Sequence, residues 1–457
     1  MKRKWLLLLI LGFTSSLCSY SLADNNVLLE FINSPIIKTT YLPSQVWNVN
    51  ENNDYHNPSS QFSIDRMYET KNLAAFWEAE FGDNPANCKD EKFRFPLDDL
   101  MKETEKIYVF FRDELKFSEK GNSLTDKYRM NLYFYYSEEG TLYGGGTENK
   151  IGIAWITPNR VKYAPYGGMA HELGHSFQYM VNSDGKWGFS TNPEGGKAQA
   201  IWEMTSQYML WQYYPNWIEF ENYHLKDYLA NCYKAFLHED NCYNSPHVLE
   251  YWADLHGKDF IGKLWHNAKK GEDPVLAYKR LTGISQEAFI NEMFDAARKF
   301  ITWDIERIRE VSKPYINSHS TELLLSNGGW YKVAPSNCPQ NYGYNGIALE
   351  VPSEGQEIII DFDGIAGSTG YRNVNVDFAN WRYGFVAYKN NGERVYGDVY
   401  SDKQGKAKFV VPKGTKNLWF VVLGAPLKHW EHLWDNDVSN DEQWPYQIKI
   451  SGSKLLN

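Results

Sequence analysis

The chain has little cysteine, no excess of basic residues, and no run of apolar residues past its N-terminus that approaches a membrane span. Each shortage excludes something. The cysteines number five in 457 residues, and none has the partner spacing of a zinc ribbon or a redox pair. A net charge of −10 leaves no basic field to hold nucleic acid. Heptads and repeat periods are also missing, which excludes coiled coils and solenoids. What is present is apolar mass. The chain is 43% hydrophobic and 16% aromatic, enough for large cores, and its length suggests two to four domains.

The N-terminus reads as an export signal. Lys2, Arg3 and Lys4 precede an apolar stretch from Trp5 to Phe13, and Ser21-Leu22-Ala23 offers small residues at the −3 and −1 positions of a cleavage site. Cleavage after Ala23 removes three basic groups and no acids, so the mature charge becomes 44 − 57 = −13. The expected location is secreted, periplasmic or cell-surface, with no transmembrane span in the mature chain. Lipidation at Cys18 is the weaker alternative, because Leu17 is bulky where a lipoprotein peptidase prefers a small residue. Four cysteines remain, and an exported chain allows disulfides. Cys232 with Cys242 and Cys88 with Cys338 are the expected pairs, with free buried thiols as the alternative.

The order along the chain predicts an α+β fold: a mixed, zincin-like hydrolase domain followed by an all-β sandwich. Residues 24–60 read as a lead-in, 61–313 as the catalytic domain and 314–457 as the sandwich. Leu73, Ala74, Phe76, Trp77 and Phe81 make an apolar stripe of helical type, and Leu97 to Leu115 makes another. Tyr128 to Tyr136 and Ile151 to Ile156 read as strands. Helices follow from Gly168 to about Val311. After Pro314 come short β runs separated by Gly, Asn and Pro, including the hairpin chemistry of Asn390-Asn391-Gly392.

The chemistry is carried by His171-Glu172-Leu173-Gly174-His175. Residues four apart stand one turn apart on one helix face, so two imidazoles can grip one Zn²⁺ at about 2.0–2.1 Å. Glu172 projects beside them, where it can take a proton from water that zinc has acidified. A third ligand is needed. Position 181 is Val181, so no third histidine follows six residues on. Glu194 lies 194 − 175 = 19 positions after His175, a spacing common in aminopeptidases, but between Pro193 and Gly195-Gly196. Glu203 lies 203 − 175 = 28 positions on, in an apolar mid-helix setting where an unpaired carboxylate is costly. Glu203 is the favoured ligand, with Gln207 one turn later as a hydrogen-bond partner for a ligand histidine.

HELGHSFQ followed by a helical Glu resembles the gluzincin clan of metallopeptidases. The long gap to that Glu, and the Gln after the second His, resemble its enhancin-like, mucin-degrading branch. Nearer still is a poorly characterised family of exported zincin-like proteins with a C-terminal β-sandwich. That resemblance runs through NLAAFWEAEFG, HVLEYWADLHG and DEQWPYQIKISG. The clan resemblance implies a zinc metallopeptidase cleaving peptide bonds of proteins or glycoproteins. By the same analogy, Gly152-Ile153-Ala154-Trp155 is the edge strand that receives substrate. His247 and Tyr251, one turn apart, are the candidate donors to the transition-state oxyanion. Two other readings stay open: a zinc hydrolase of a glycan or other non-peptide bond, and a glycan-binding surface protein with a vestigial metal site. An intact Glu172 argues against the second.

Other features read more plainly. Tyr143-Gly144-Gly145-Gly146-Thr147 lacks the Lys of a phosphate-binding loop and is expected to be a loop near the cleft. His224, His238, His256 and His266 are expected on the surface or in packing. In the sandwich, Trp430 and Trp434 are the best candidates for exposed sugar-stacking aromatics. Asp435, Asp437 and Asp441 could hold Ca²⁺, though solvated loop acids are commoner.

Overall fold

The computed structural model describes residues 37–46, 53–190 and 199–456. The export signal, Cys18 and Glu194 therefore lie outside the described residues. Residues Lys38–Asn457 form one compact unit. The fold is α+β.

The first half is built on a five-stranded sheet with order β1-β2-β3-β5-β4. Its strands are β1 (Met67–Glu69), β2 (Leu73–Trp77), β3 (Met130–Phe134), β4 (Leu142–Thr147) and β5 (Ile151–Ile156). The three inner strands run parallel and the two outer ones antiparallel. Inner strands of this kind are buried on both faces and need continuous apolar sequence. Leu73 to Trp77 is such a run, so the helical stripe expected there is a strand. Helix α1 (Leu97–Asp113) crosses over between β2 and β3. Alternate residues divide the sheet: Leu73, Ala75, Leu132 and Ala154 face the helices, while Ala74, Phe76, Tyr133 and Ile153 face a second core with Tyr55 and Phe62.

The helices that follow are α2 (Gly167–Ser183), α3 (Ala200–Tyr213), α4 (Trp217–Phe220), α5 (Asn222–Asn231), α6 (Pro246–His256), α7 (Phe260–Asn267), α8 (Pro274–Thr282) and α9 (Gln286–Phe300). Helix α9 stops at Phe300, short of the Val311 expected, because Trp303 turns into the left-handed region at φ 48°. No helix among the described residues is long and apolar enough to cross a membrane.

The second half is a sandwich of two antiparallel sheets. One holds β11 (Arg394–Tyr396), β10 (Trp381–Lys389), β13 (Thr415–Gly424) and β8 (Tyr344–Leu349) in that order. The other is ordered β12 (Gln404–Val410), β9 (Glu357–Gly364), β14 (Tyr446–Ser451), β7 (Tyr331–Val333), β6 (Leu323–Leu325). Leu418, Phe420 and Val422 of β13 fill the space between the sheets. Trp419, Val421 and Leu423, on the opposite face of the same strand, join the core of the helical half. The last α-helix ends at Phe300 and the first strand of the sandwich begins at Leu323, while one core runs across that change.

Two expectations need correction here. All four described cysteines are buried free thiols. Cys88 lies in the helical core and Cys338 in the sandwich core, so that pair belongs to two different cores. Cys232 caps α5 with its Sγ directed at the Leu229 carbonyl, 3.5 Å away, rather than at Cys242. Nor are Trp430 and Trp434 exposed: Trp430 packs edge-on against Trp444 at 5.7 Å, and Trp434 packs against the helical core.

Candidate active site

Helix α2 is held by close contacts that only small residues permit. A Cβ on Gly167 would stand 2.0 Å from the Trp217 ring, and one on Gly174 2.7 Å from Ser206 Oγ. Met169, Leu173 and Phe177 anchor its other side in the core. This fixes the face that carries His171 and His175. Helix α3 passes beside it and is buried nearly all round, polar Thr205, Ser206, Gln207 and Gln212 included. Its Glu203, in the first turn of the helix rather than mid-helix, reaches the two histidines.

The three groups converge on one point. Nε2 of His171 is 3.0 Å from Oε2 of Glu203, Nε2 of His175 is 3.1 Å from the same oxygen, and the two nitrogens are 3.1 Å apart. Gln178 fixes the tautomer of His175. Its amide donates to the Trp202 carbonyl (2.9 Å), so its oxygen must accept from Nδ1 of His175 (2.9 Å). The His175 lone pair therefore points inward. Burial pushes Glu203 up, but hydrogen bonds to His171 and His175 outweigh it and hold the carboxyl well below its usual range. Burial pushes His175 down, and the Glu203 contact more than reverses this. Glu172 is raised by burial, against the pull of both histidines and the Gly144 amide.

Two inward imidazole nitrogens and a carboxylate oxygen suit a small divalent cation. Ligands about 2.0–2.1 Å from a tetrahedral zinc stand about 3.3 Å apart, close to the observed triangle. His171, His175 and Glu203 would hold the ion, and Gln178 would orient His175. Gln207, expected in that second role, faces His224 instead at 3.2 Å.

The cleft beside the triangle has a volume of about 590 Å³ and is lined by Tyr143, Gly144, Gly145, Gly146, Tyr179 and Trp202 among others. Its wall is β4. The Tyr-Gly-Gly-Gly-Thr segment is thus the outermost strand of the sheet among the described residues, rather than a loop. Ile151–Ile156, expected at the edge, is enclosed between β3 and β4. The glycines explain the difference. A Cβ on Gly144 would stand 1.9 Å from the Glu172 carbonyl, and one on Gly146 would meet the Tyr179 ring at 1.8 Å. Their absence lets the edge strand lie directly on the motif helix.

His247 and Tyr251 are not part of this site. His247 sits among Trp211, Tyr228 and Trp303 with neither ring nitrogen partnered. Tyr251 donates to Asp295 at 3.0 Å. The residue that does reach the site is Tyr243. Its ring stacks on His171 at 5.9 Å, and burial together with the nearby Glu203 carboxylate pushes the pKa of its hydroxyl up. It lies four positions before His247 in no motif, so only the fold reveals it.

His247 makes a pH prediction. Burial lowers its pKa to about 3, as it does for His319. Both rings are neutral when folded and take a proton on unfolding below about pH 6.5. The folded pKa lies below the unfolded one, so this stability is complete above pH 6.5. It falls toward pH 3 by about 1.4 kcal/mol per unit per ring. Denaturant titrations between pH 4 and 6 should show His247→Phe reducing that slope by one ring's share. An unchanged slope would mean that the ring is already protonated in the fold.

Residues 33–457 match the family described as "Family of unknown function (DUF6055)". No curated protein matches the chain. Among solved structures, a metallopeptidase from Bacteroides thetaiotaomicron is similar at 9% identity over 82% of this chain and 66% of its own, with a TM-score of 0.26. The CBM22-1 xylan-binding domain of Paenibacillus barcinonensis is similar at 12% identity over 30% of this chain and 81% of its own, with a TM-score of 0.19. Superpositions this loose carry no argument about function.

Proposed function

The chain belongs to the DUF6055 family, and from the chemistry of its cleft we propose that it is a zinc-dependent hydrolase of gluzincin type, cutting peptide bonds of proteins or glycoproteins. The donor triangle of His171, His175 and Glu203, with Glu172 beside it, carries this reading. Zinc held there would act as a Lewis acid on water and on the scissile carbonyl. Glu172 takes the proton from the attacking water and passes it to the departing amine. Tyr243 stands where a hydroxyl can donate to the developing oxyanion. Along β4, the bare main chain of Gly144 to Gly146 offers an extended substrate a strand to pair with. A cleft walled by an edge strand favours a polypeptide over a small glycan. The export signal expected at Lys2 to Ala23 supports action outside the cytoplasm.

The test is digestion of a mixed glycoprotein pool by purified mature protein. New peptide termini should appear, vanish with a chelator and return with zinc. Released glycans with intact peptide bonds would replace this reading with a non-peptide hydrolase. A pool unchanged in both respects would remove hydrolysis altogether.

A further inference from the structure

Building on the peptidase reading, on which this inference rests, we propose that a small apolar pocket beside the donor triangle selects substrates. It takes a small aliphatic side chain, of valine size, from a residue next to the bond that is cut.

The pocket is built from the chain that follows the third donor. Gln207 and Trp211 stand one and two turns after Glu203 on α3. Trp217 and Ile218 come from α4, Leu225 from α5, and Pro246 with His247 from the start of α6. The Trp217 ring also lies against Gly167, the first residue of α2, so pocket and motif helix are packed together. Tyr243 is the wall common to the pocket and the metal site. Its ring stacks on His171 at 5.9 Å and on His224 at 6.2 Å, and both Tyr243 and His224 line the pocket. A peptide with its carbonyl at the triangle would have the pocket one tyrosine ring away, within reach of a neighbouring side chain.

Size and chemistry set what enters. The pocket has a volume of about 30 Å³. A single water needs about 10–15 Å³ of such space, so about two or three groups of that size fit. That suits the carbons of a valine side chain and excludes an aromatic ring. The lining is mostly apolar, and most of its polar groups are spent on one another. The Gln207 amide donates to Nε2 of His224 at 3.2 Å, and Nδ1 of His224 donates to Oδ1 of Asn244 at 2.9 Å. Glu221, 3.7 Å from His224, is the one carboxylate among the lining residues and disfavours an acidic side chain. Burial keeps the unpartnered His247 ring neutral, so it adds no charge. Around the mouth, aromatic rings are left facing water. Phe220 is 57% exposed with its ring 6.2 Å from Trp217, and Tyr223 is 50% exposed with its ring 4.3 Å from His224. Apolar groups left exposed around a pocket mark a contact surface.

Sequencing the new termini in a protein pool digested by full-length mature protein tests this subsite. Small aliphatic residues should be enriched at one fixed position beside the cut. On matched peptides, valine there should exceed phenylalanine by about tenfold or more in kcat/KM. Ile218→Ala should enlarge the pocket and admit leucine and phenylalanine, and Ile218→Phe should fill it and erase the preference. Zinc content should not change in either, because Ile218 is not one of the donors. The wild-type profile decides the matter even where a variant fails to fold. A pool cut with no side-chain preference beside the bond would overturn the subsite and leave the peptidase reading standing. A preference unchanged in both folded variants would do the same. A pool left uncut would overturn both.

Discussion

Replacing Glu172 with Gln should leave the fold and the bound zinc intact and slow turnover by at least about a hundredfold. The amide is nearly isosteric and keeps the contact with the Gly144 edge strand, but it cannot take a proton as a carboxylate does. Glu172 is not one of the three converging donors, so zinc occupancy should not change. General-base help is typically worth 10²–10⁴-fold in rate. A small residual activity should survive, because the ion still polarises the substrate carbonyl. The measurement is kcat and KM on whichever peptide the pool digestion yields, with zinc counted in the same preparation. The loss should fall on kcat with KM little changed. Full turnover at full zinc would show that another group takes the proton.

Glu203→Ala should have the larger effect on the metal. Two histidines alone make a poor tetrahedral site, and removing even an outer partner of a ligand costs about 10–100-fold in affinity. Loss of a direct ligand should exceed that. A competition titration against a chelating dye would read it, with Glu194→Ala as the comparison and circular dichroism to verify the fold. The sign follows from the triangle, since both histidine nitrogens face the same Glu203 oxygen at 3.0 and 3.1 Å. Loss of zinc in Glu194→Ala, with retention in Glu203→Ala, would move the third ligand to Glu194.

The sequence made the heart of the site legible and its walls much less so. His171, Glu172 and His175 follow from helical spacing alone, and Glu203 from the cost of an acid in apolar surroundings. Both arguments are local. The edge strand was misread because glycine runs look like loop chemistry. The reason for Gly144 is a carbonyl on a helix about 28 positions later, 1.9 Å from where its Cβ would be. Leu73 to Trp77 was misread because a continuous apolar run does not distinguish a buried strand from a buried helix. His247 and Tyr251 do share a helix with the expected periodicity, but that face looks into an aromatic core. Tyr243 had no signal in the sequence, and its role depends on the stacking of two rings 72 residues apart.

The alternation along β13 bears on how that strand finds its alignment. In most sheets a slip of one residue exchanges apolar for polar side chains, and water enforces the correct pairing. Here a slip would exchange Leu418, Phe420 and Val422 for Trp419, Val421 and Leu423, one greasy set for another. Polarity cannot correct the error. Two fixed points can. Trp419 Nε1 donates to Asn317 at 2.8 Å, and at Gly424 even a methyl group would stand 2.1 Å from the Gln340 carbonyl. A strand near the middle of the protein is thus aligned by one indole hydrogen bond and one missing side chain.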